Sequence, residues 1–211
     1  MAKALPINSK AHMTLVQYQS RVQAANQFKG QPEACNQLKF GLFGEIGGLL
    51  SAVKKSHRDV GAAEQAIVKE ELGDCVWYLT AVTVEYQLSL EDVGYAALNE
   101  LQRRFDINKP NLPGPLNFVP FDGLLGLCHG QILRLDRSQQ LSVLASHAGQ
   151  LLSDIGEKDL ASTAPLNLLA SLWADMVIVA GLFDLKFTDV IEANLTKFES
   201  RWPQIEVKYL D

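Results

Sequence analysis

The sequence has little of what marks secreted, membrane-spanning or nucleic-acid-binding chains. Its three cysteines, Cys35, Cys75 and Cys128, are odd in number and lack metal-type spacing, so they read as reduced thiols of a cytoplasmic protein with no functional role. No apolar run approaches the roughly 20 residues that a membrane span needs, and the opening MAKALPINSKAHM lacks the apolar core of a secretion signal. There is no long basic run. With 19 Lys+Arg against 24 Asp+Glu the net charge is -5, which gives no electrostatic reason to bind a nucleic-acid duplex or an anionic membrane. Runs of alternating apolar and polar residues are missing as well, so nothing supports a sheet. What is present is apolar content of 47% over 211 residues, sufficient for one large core or two small ones. A small-molecule or protein partner is the expectation that remains.

Helical periodicity organises the chain. Apolar residues recur at intervals of three and four near Leu15 to Phe28, Cys35 to Ser56, Ala63 to Tyr86 and Leu90 to Phe105. Ser89, followed by Asp92, predicts an N-cap and a first-turn acid for the fourth segment. Pro110, Pro113, Pro115 and Pro120 then crowd a stretch that no helix crosses intact. Four more helical segments follow, near Phe121 to Leu135, Gln139 to Ile155, Pro165 to Leu185 and Thr188 to Arg201. The expected organisation is a flexible lead over 1–13, a helical unit over 14–105, a Pro-rich linker over 106–120 and a second helical unit over 121–211.

The two halves align with each other. LFGEIGGLLSAV from Leu42 matches LASHAGQLLSDI from Leu144, and SLEDV from Ser89 falls opposite KFTDV from Lys186, which reads as an internal duplication. Asp74 then pairs with Asp175, with the second copy four residues shorter, about one helical turn. The plainer alternative is chance likeness between two leucine-rich helices.

Chemistry is concentrated in the first half. At about 100° per residue, Glu45 falls within the apolar stripe of Leu38, Leu42, Leu49 and Val53. A lone carboxylate there must be protonated, paired or metal-bound. The third segment repeats the anomaly: Glu71, Asp74 and Tyr78 share a face with Cys75, Leu79 and Val82, and Glu70 flanks them. Carboxylates facing one another across a bundle make an oxygen-rich site suited to Mg²⁺ or Mn²⁺. The competing reading is a solvated edge paired with lysines. Gly41, Gly44 and Gly48 line the strip beside Glu45, which fits close helix packing or room for a ligand. Lys54, Lys55, His57 and Arg58 come next, placed either to complement the helix dipole or to hold a polyphosphate. His147 and Asp175 occupy the stripe positions of Glu45 and Asp74, so they are expected to face one another and share a direct or water-linked hydrogen bond in place of a metal. Trp77 is assigned to packing.

GLFGEIGGLLSAVKKSHRD followed by KEELGDCVWYL resembles the MazG-type all-α nucleoside triphosphate pyrophosphatases, a group that includes dimeric dUTPases and phosphoribosyl-ATP pyrophosphohydrolases. The resemblance covers most of residues 14 to 105 and recurs faintly in the second half. It implies an all-α fold of two fused four-helix units in a single-chain pseudo-dimeric bundle. The family's Glu-x-x-Glu and Glu-x-x-Asp signature falls here on Glu45 with Gly48, then Glu71 with Asp74, so the second glutamate is absent. The ANLxKxxxRW-like pattern of the fourth helix is degraded to AALNELQRRF in the first half, yet ANLTKFESRW stands intact in the second. In the second half His147, Gln150 and Leu172 replace the metal glutamates. By resemblance, Glu45, Glu71 and Asp74 hold Mg²⁺ or Mn²⁺, Glu70 or Glu71 activates water, and Lys54, Lys55, Arg58, Tyr78, Asn194, Lys197 and Arg201 contact substrate.

The implied reaction is cleavage of a nucleoside triphosphate between its α and β phosphates, giving a monophosphate and pyrophosphate. Two alternatives stand beside it: a catalytically degenerate module for nucleotide sensing or protein interaction, favoured by Gly48, and a helical scaffold without ligand. Duplication either replaces the family's dimer or builds half of a homodimer of pseudo-dimeric chains.

Overall fold

The computed structural model of the chain describes residues 13–58, 64–108, 114–153 and 164–201. Among them the fold is all-helical, with α1 (Leu15–Ala25), α2 (Ala34–Arg58), α3 (Glu64–Glu85), α4 (Leu90–Phe105), α5 (Val119–Ile132), α6 (Arg137–Ser153), α7 (Ala164–Leu182) and α8 (Phe187–Arg201). Every end lies within three residues of the boundary read from periodicity. The ends are set by local chemistry. Thr14 and Gln17 form a reciprocal capping box at the start of α1, the Ser89 hydroxyl accepts from Glu91 N–H at the start of α4, and the Asp136 carboxylate accepts from Gln139 N–H at the start of α6. Gln87 after α3 and Asp184 after α7 both adopt left-handed backbone, with φ of 58° and 54°. The next residue then returns a hydrogen bond to the helix end, Leu88 to Thr83 and Leu185 to Ala180.

Two expectations change. The segment 106–120 is not linker throughout: Pro120 stands in the first turn of α5, where its missing N–H would have had no helical partner anyway. Pro110 and Pro113 lie outside the described residues. A single β-bridge, Thr14 to Asn117, is the one extended pairing among the described residues. Beside it Leu15 N–H donates to Leu116, which ties the chain before α1 to the chain before α5. Of the expected lead, residues 1–12 lie outside the described residues, and Met13 is buried.

Buried side chains from both halves of the sequence form one continuous apolar cluster. Helices α3 and α7 sit at its centre. α3 packs against α1, α2, α4, α7 and α8, and α7 against α3, α4, α5, α6 and α8. α7 alone among the described residues is long and apolar enough to cross a bilayer, but 72% of that stretch is buried inside the bundle, as expected of a core helix that is apolar all round. Trp173 on α7 is enclosed by Phe118, Phe121 and Phe187 at ring-centroid distances of 5.3 to 6.3 Å. α2 and α8 both pack against α3. At the α3–α8 contact Gly73 lets α8 approach, since a Cβ there would lie 2.9 Å from the Asn194 Cβ.

Candidate active site

The α2–α3 contact brings the acids together. Leu38, Leu42, Leu49 and Val53 are buried, and Glu45 between them is only half-exposed. It lies near enough to Glu71 and Asp74 for their charges to act on it. Burial, then the charges of Asp74 and Glu71, pushes Glu45 above the ordinary glutamate range. Burial, then Asp74 and Glu70, does the same to Glu71. Glu71 can reach this position because residue 48 has no side chain: a Cβ on Gly48 would stand 2.5 Å from Glu71 Oε2. The Glu71 carboxylate therefore fills the space that a side chain at 48 would use.

Helix α8 supplies the opposite charge. Asn194 Nδ2 donates to Asp74 Oδ1 at 3.0 Å, and Lys197 Nζ donates to Asp74 Oδ2 at 2.5 Å. Lys197 also reaches Glu70 Oε1 at 2.8 Å. Burial draws the Lys197 ammonium down, but the Asp74 and Glu70 carboxylates outweigh it and leave Lys197 above its ordinary range. The hydrogen bond from Lys197, aided by its charge, holds Glu70 low. Asn194 is itself oriented by the buried Tyr18, whose hydroxyl donates to Asn194 Oδ1 at 3.2 Å. Its amide is thus fixed with the NH₂ toward Asp74.

Glu45, Asp74, Asn194 and Lys197 open onto a cavity of about 280 Å³, whose lining does not include Glu70 or Glu71. Glu45 and Asp74 form its acidic wall, Lys197 and Arg201 its cationic wall, and Phe28, Trp77, Tyr78 and Phe198 its aromatic one; Gln27 and Asn194 add amides. The Trp77 ring stacks against Phe198 with centroids 6.0 Å apart and meets Tyr78 edge-on at 4.9 Å. Gly41 admits Tyr78, since a Cβ there would collide with the ring at 2.1 Å from Cε1. Trp77 packs against the core as expected; it also lines the cavity, and its buried indole N–H has no partner among the described residues.

A second polar cluster surrounds Asp175 on α7, which is 2% exposed. His147 Nδ1 lies 2.6 Å from Asp175 Oδ2, the pairing expected from their positions on apolar stripes. Arg104 Nη1 donates to Asp175 Oδ1 at 2.5 Å, and Arg104 Nε donates to Glu100 at 2.8 Å. Both Asp175 oxygens are thereby satisfied.

Other expected contacts do not converge here. Lys54 and Lys55 are exposed and form no part of the cavity wall, because nine or ten residues beyond Glu45 amount to roughly 14 Å along the helix axis. Arg58 ends α2, and its side chain lies outside the described residues. Gly44 is exposed with open space at its Cβ position. Gln27, Phe28 and Phe198, which the sequence reading passed over, line the cavity.

The donors fit a hard divalent cation in kind: three carboxyls from two neighbouring helices, two of them pushed up by burial and by their neighbours' negative charge. As they stand, no three Asp, Glu, His or Cys side chains among the described residues are grouped to hold an ion, and Asp74 is engaged by Asn194 and Lys197 instead. Comparison of the chain with protein-family models, with characterised proteins and with solved structures returns no match.

Proposed function

We propose that the chain is a metal-dependent nucleoside triphosphate pyrophosphohydrolase built as a single-chain pseudo-dimer, its one site shared between the halves. The observation that carries this reading is the convergence at Asp74: an acidic residue of the first half meets Asn194 and Lys197 of the second, beside Glu45 and an aromatic-walled cavity. Such a cavity suits a ligand with a flat ring at one end and anionic groups at the other.

Support for the duplicated architecture comes from matched contacts. The α2–α3 and α3–α8 contacts of the first acidic centre have counterparts in α6–α7 and α4–α7. The Gln19 side chain accepts from Leu90 N–H at the start of α4 as Asp122 accepts from Phe187 N–H at the start of α8. The left-handed turns at Gln87 and Asp184 lie at equivalent places.

Glu45, Glu71 and Asp74 would hold Mg²⁺ or Mn²⁺, which when bound neutralises phosphate charge and polarises the scissile anhydride. Lys197 and Arg201 take the phosphate oxygens. Trp77, Tyr78 and Phe198 offer faces to the base and sugar. Glu70 and Glu71 are the two candidate bases, and of these Glu70 is already bonded to Lys197 at 2.8 Å. A second reading, nucleotide sensing without turnover, draws on the occupation of Asp74 by Lys197.

The test is pyrophosphate release from a panel of canonical and modified nucleoside triphosphates with Mg²⁺ or Mn²⁺. Turnover that Glu45→Gln and Asp74→Asn each lower at least ~100-fold supports the enzyme, in line with the loss of a principal electrostatic group. Nucleotide binding without turnover supports the sensor, and neither binding nor turnover leaves only a scaffold.

A further inference from the structure

The two acid centres of the bundle, at Asp74 and Asp175, carry the same kind of partner in different surroundings. At Asp175 the cation is Arg104, the second oxygen is taken by His147, and the acid is 2% exposed. At Asp74 the cation is Lys197, and there the ammonium lines an open cavity together with Glu45 and Arg201. Lys197 sits among carboxyls that exceed it in number: it bonds Asp74 and Glu70, and Glu45 lines the same cavity. A lysine ammonium is a compact charge on a flexible stem, able to leave one carboxylate for another anion without breaking a planar fork.

We propose that Lys197 is an exchangeable counter-ion: in the nucleotide-free chain its ammonium occupies the charge position of a divalent cation at Asp74, and it yields that position to reach the phosphates of the substrate. The inference rests on the proposed metal site and adds a coupling to it. Lys197 competes with the cation when no nucleotide is bound and works alongside it when a triphosphate is present. At Asp175, 2% exposed, both carboxylate oxygens are taken by Arg104 and His147, and Arg104 is further held by Glu100.

The experiment uses the full chain without nucleotide. Mn²⁺ is titrated into the wild type, Lys197→Met, Lys197→Gln and Asp74→Asn, with free Mn²⁺ read by electron paramagnetic resonance. Inorganic tripolyphosphate is then titrated by calorimetry into the Mn²⁺-saturated proteins. Both Lys197 variants are expected to bind Mn²⁺ roughly fivefold more tightly than the wild type, the effect of removing one unit charge near a partly exposed site, and to bind tripolyphosphate at least ~fivefold more weakly. Opposite signs in the two titrations distinguish exchange from a structural role, which would weaken both together, and thermal melts establish that the variants are folded. Mn²⁺ binding that Asp74→Asn abolishes but the Lys197 variants leave unchanged or weaken overturns the exchange while the metal site stands. Absence of Mn²⁺ binding in wild type and Lys197 variants alike, or binding indifferent to Asp74→Asn, overturns the metal site and the exchange with it.

Discussion

Gly48 and Glu71 share one space: a Cβ on the glycine would come within 2.5 Å of the glutamate's Oε2. The absence of a carboxylate at 48, which by sequence alone looks like a missing ligand, is thus bound up with the position of a carboxylate from the neighbouring helix. Gly48→Glu should therefore not enhance activity. It is expected to displace Glu71 and lower pyrophosphate release at least ~10-fold. Gly48→Ala separates site from fold. The atom it meets is the end of a flexible side chain, and alanine favours a helix by about 1 kcal/mol over glycine, so the melting temperature should hold or rise while turnover falls. A Gly48→Glu variant faster than wild type would refute the shared-space account.

Gly41 and Tyr78 make a parallel case at the aromatic wall. The Cβ of Gly41→Ala would overlap the Tyr78 ring, which is expected to swing and change the cavity beside Trp77. The Michaelis constant should rise more than turnover falls, because the ring is read as binding the substrate equally in ground and transition states. Steady-state kinetics on the preferred nucleotide checks this, with Trp77→Phe as a companion that alters the same wall without touching α2.

Asp175→Asn tests the second polar cluster. The substitution removes one of the two anions of the partly buried Arg104 guanidinium, leaving Glu100, and weakens the hold on His147. Breaking one side of a buried ion pair costs roughly 3 kcal/mol, to be read as a lower denaturant midpoint with unchanged slope. Pyrophosphate release per folded molecule should stay near wild type.

The acidic cluster also fixes a pH dependence. Glu45 and Glu71 are raised above the ordinary value of 4.5. Their contribution to stability is complete below that value and is lost as pH rises through their raised values in the fold. The metal-free chain should therefore melt at lower temperature as pH climbs from about 4.5, and Glu45→Gln should flatten the decline. Glu70 and Glu100 are lowered, so their contribution is present above 4.5 and lost as pH falls through their depressed values. Thermal melts across pH in a chelating buffer, repeated with Mn²⁺, measure both limbs. A metal-free curve that rises steadily through the raised range would argue against the burial of Glu45 and Glu71 beside Asp74.

Helix positions were legible in the sequence because apolar residues recur at intervals of three and four, a period that few other patterns mimic. The His147–Asp175 contact was legible for a related reason: two polar residues on apolar stripes of facing helices have to satisfy one another. The reach of Arg104 to Asp175 was not, because an arginine in the last turn of a helix reads as a complement to the dipole, and only the α4–α7 crossing shows which residue it meets. Pocket aromatics were hidden for the same kind of reason. Trp77 and Phe198 have the spacing of core residues, and nothing in one helix reveals that the space between two others stays open.

The shared, acid-centred site is tested most directly by ³¹P nuclear magnetic resonance of the full chain with a panel of nucleoside triphosphates and Mg²⁺. The account predicts that for at least one nucleotide the monophosphate and pyrophosphate signals grow together in equal amounts, and that Asp74→Asn abolishes both. Formation of diphosphate and orthophosphate, or turnover that survives Asp74→Asn, would contradict it.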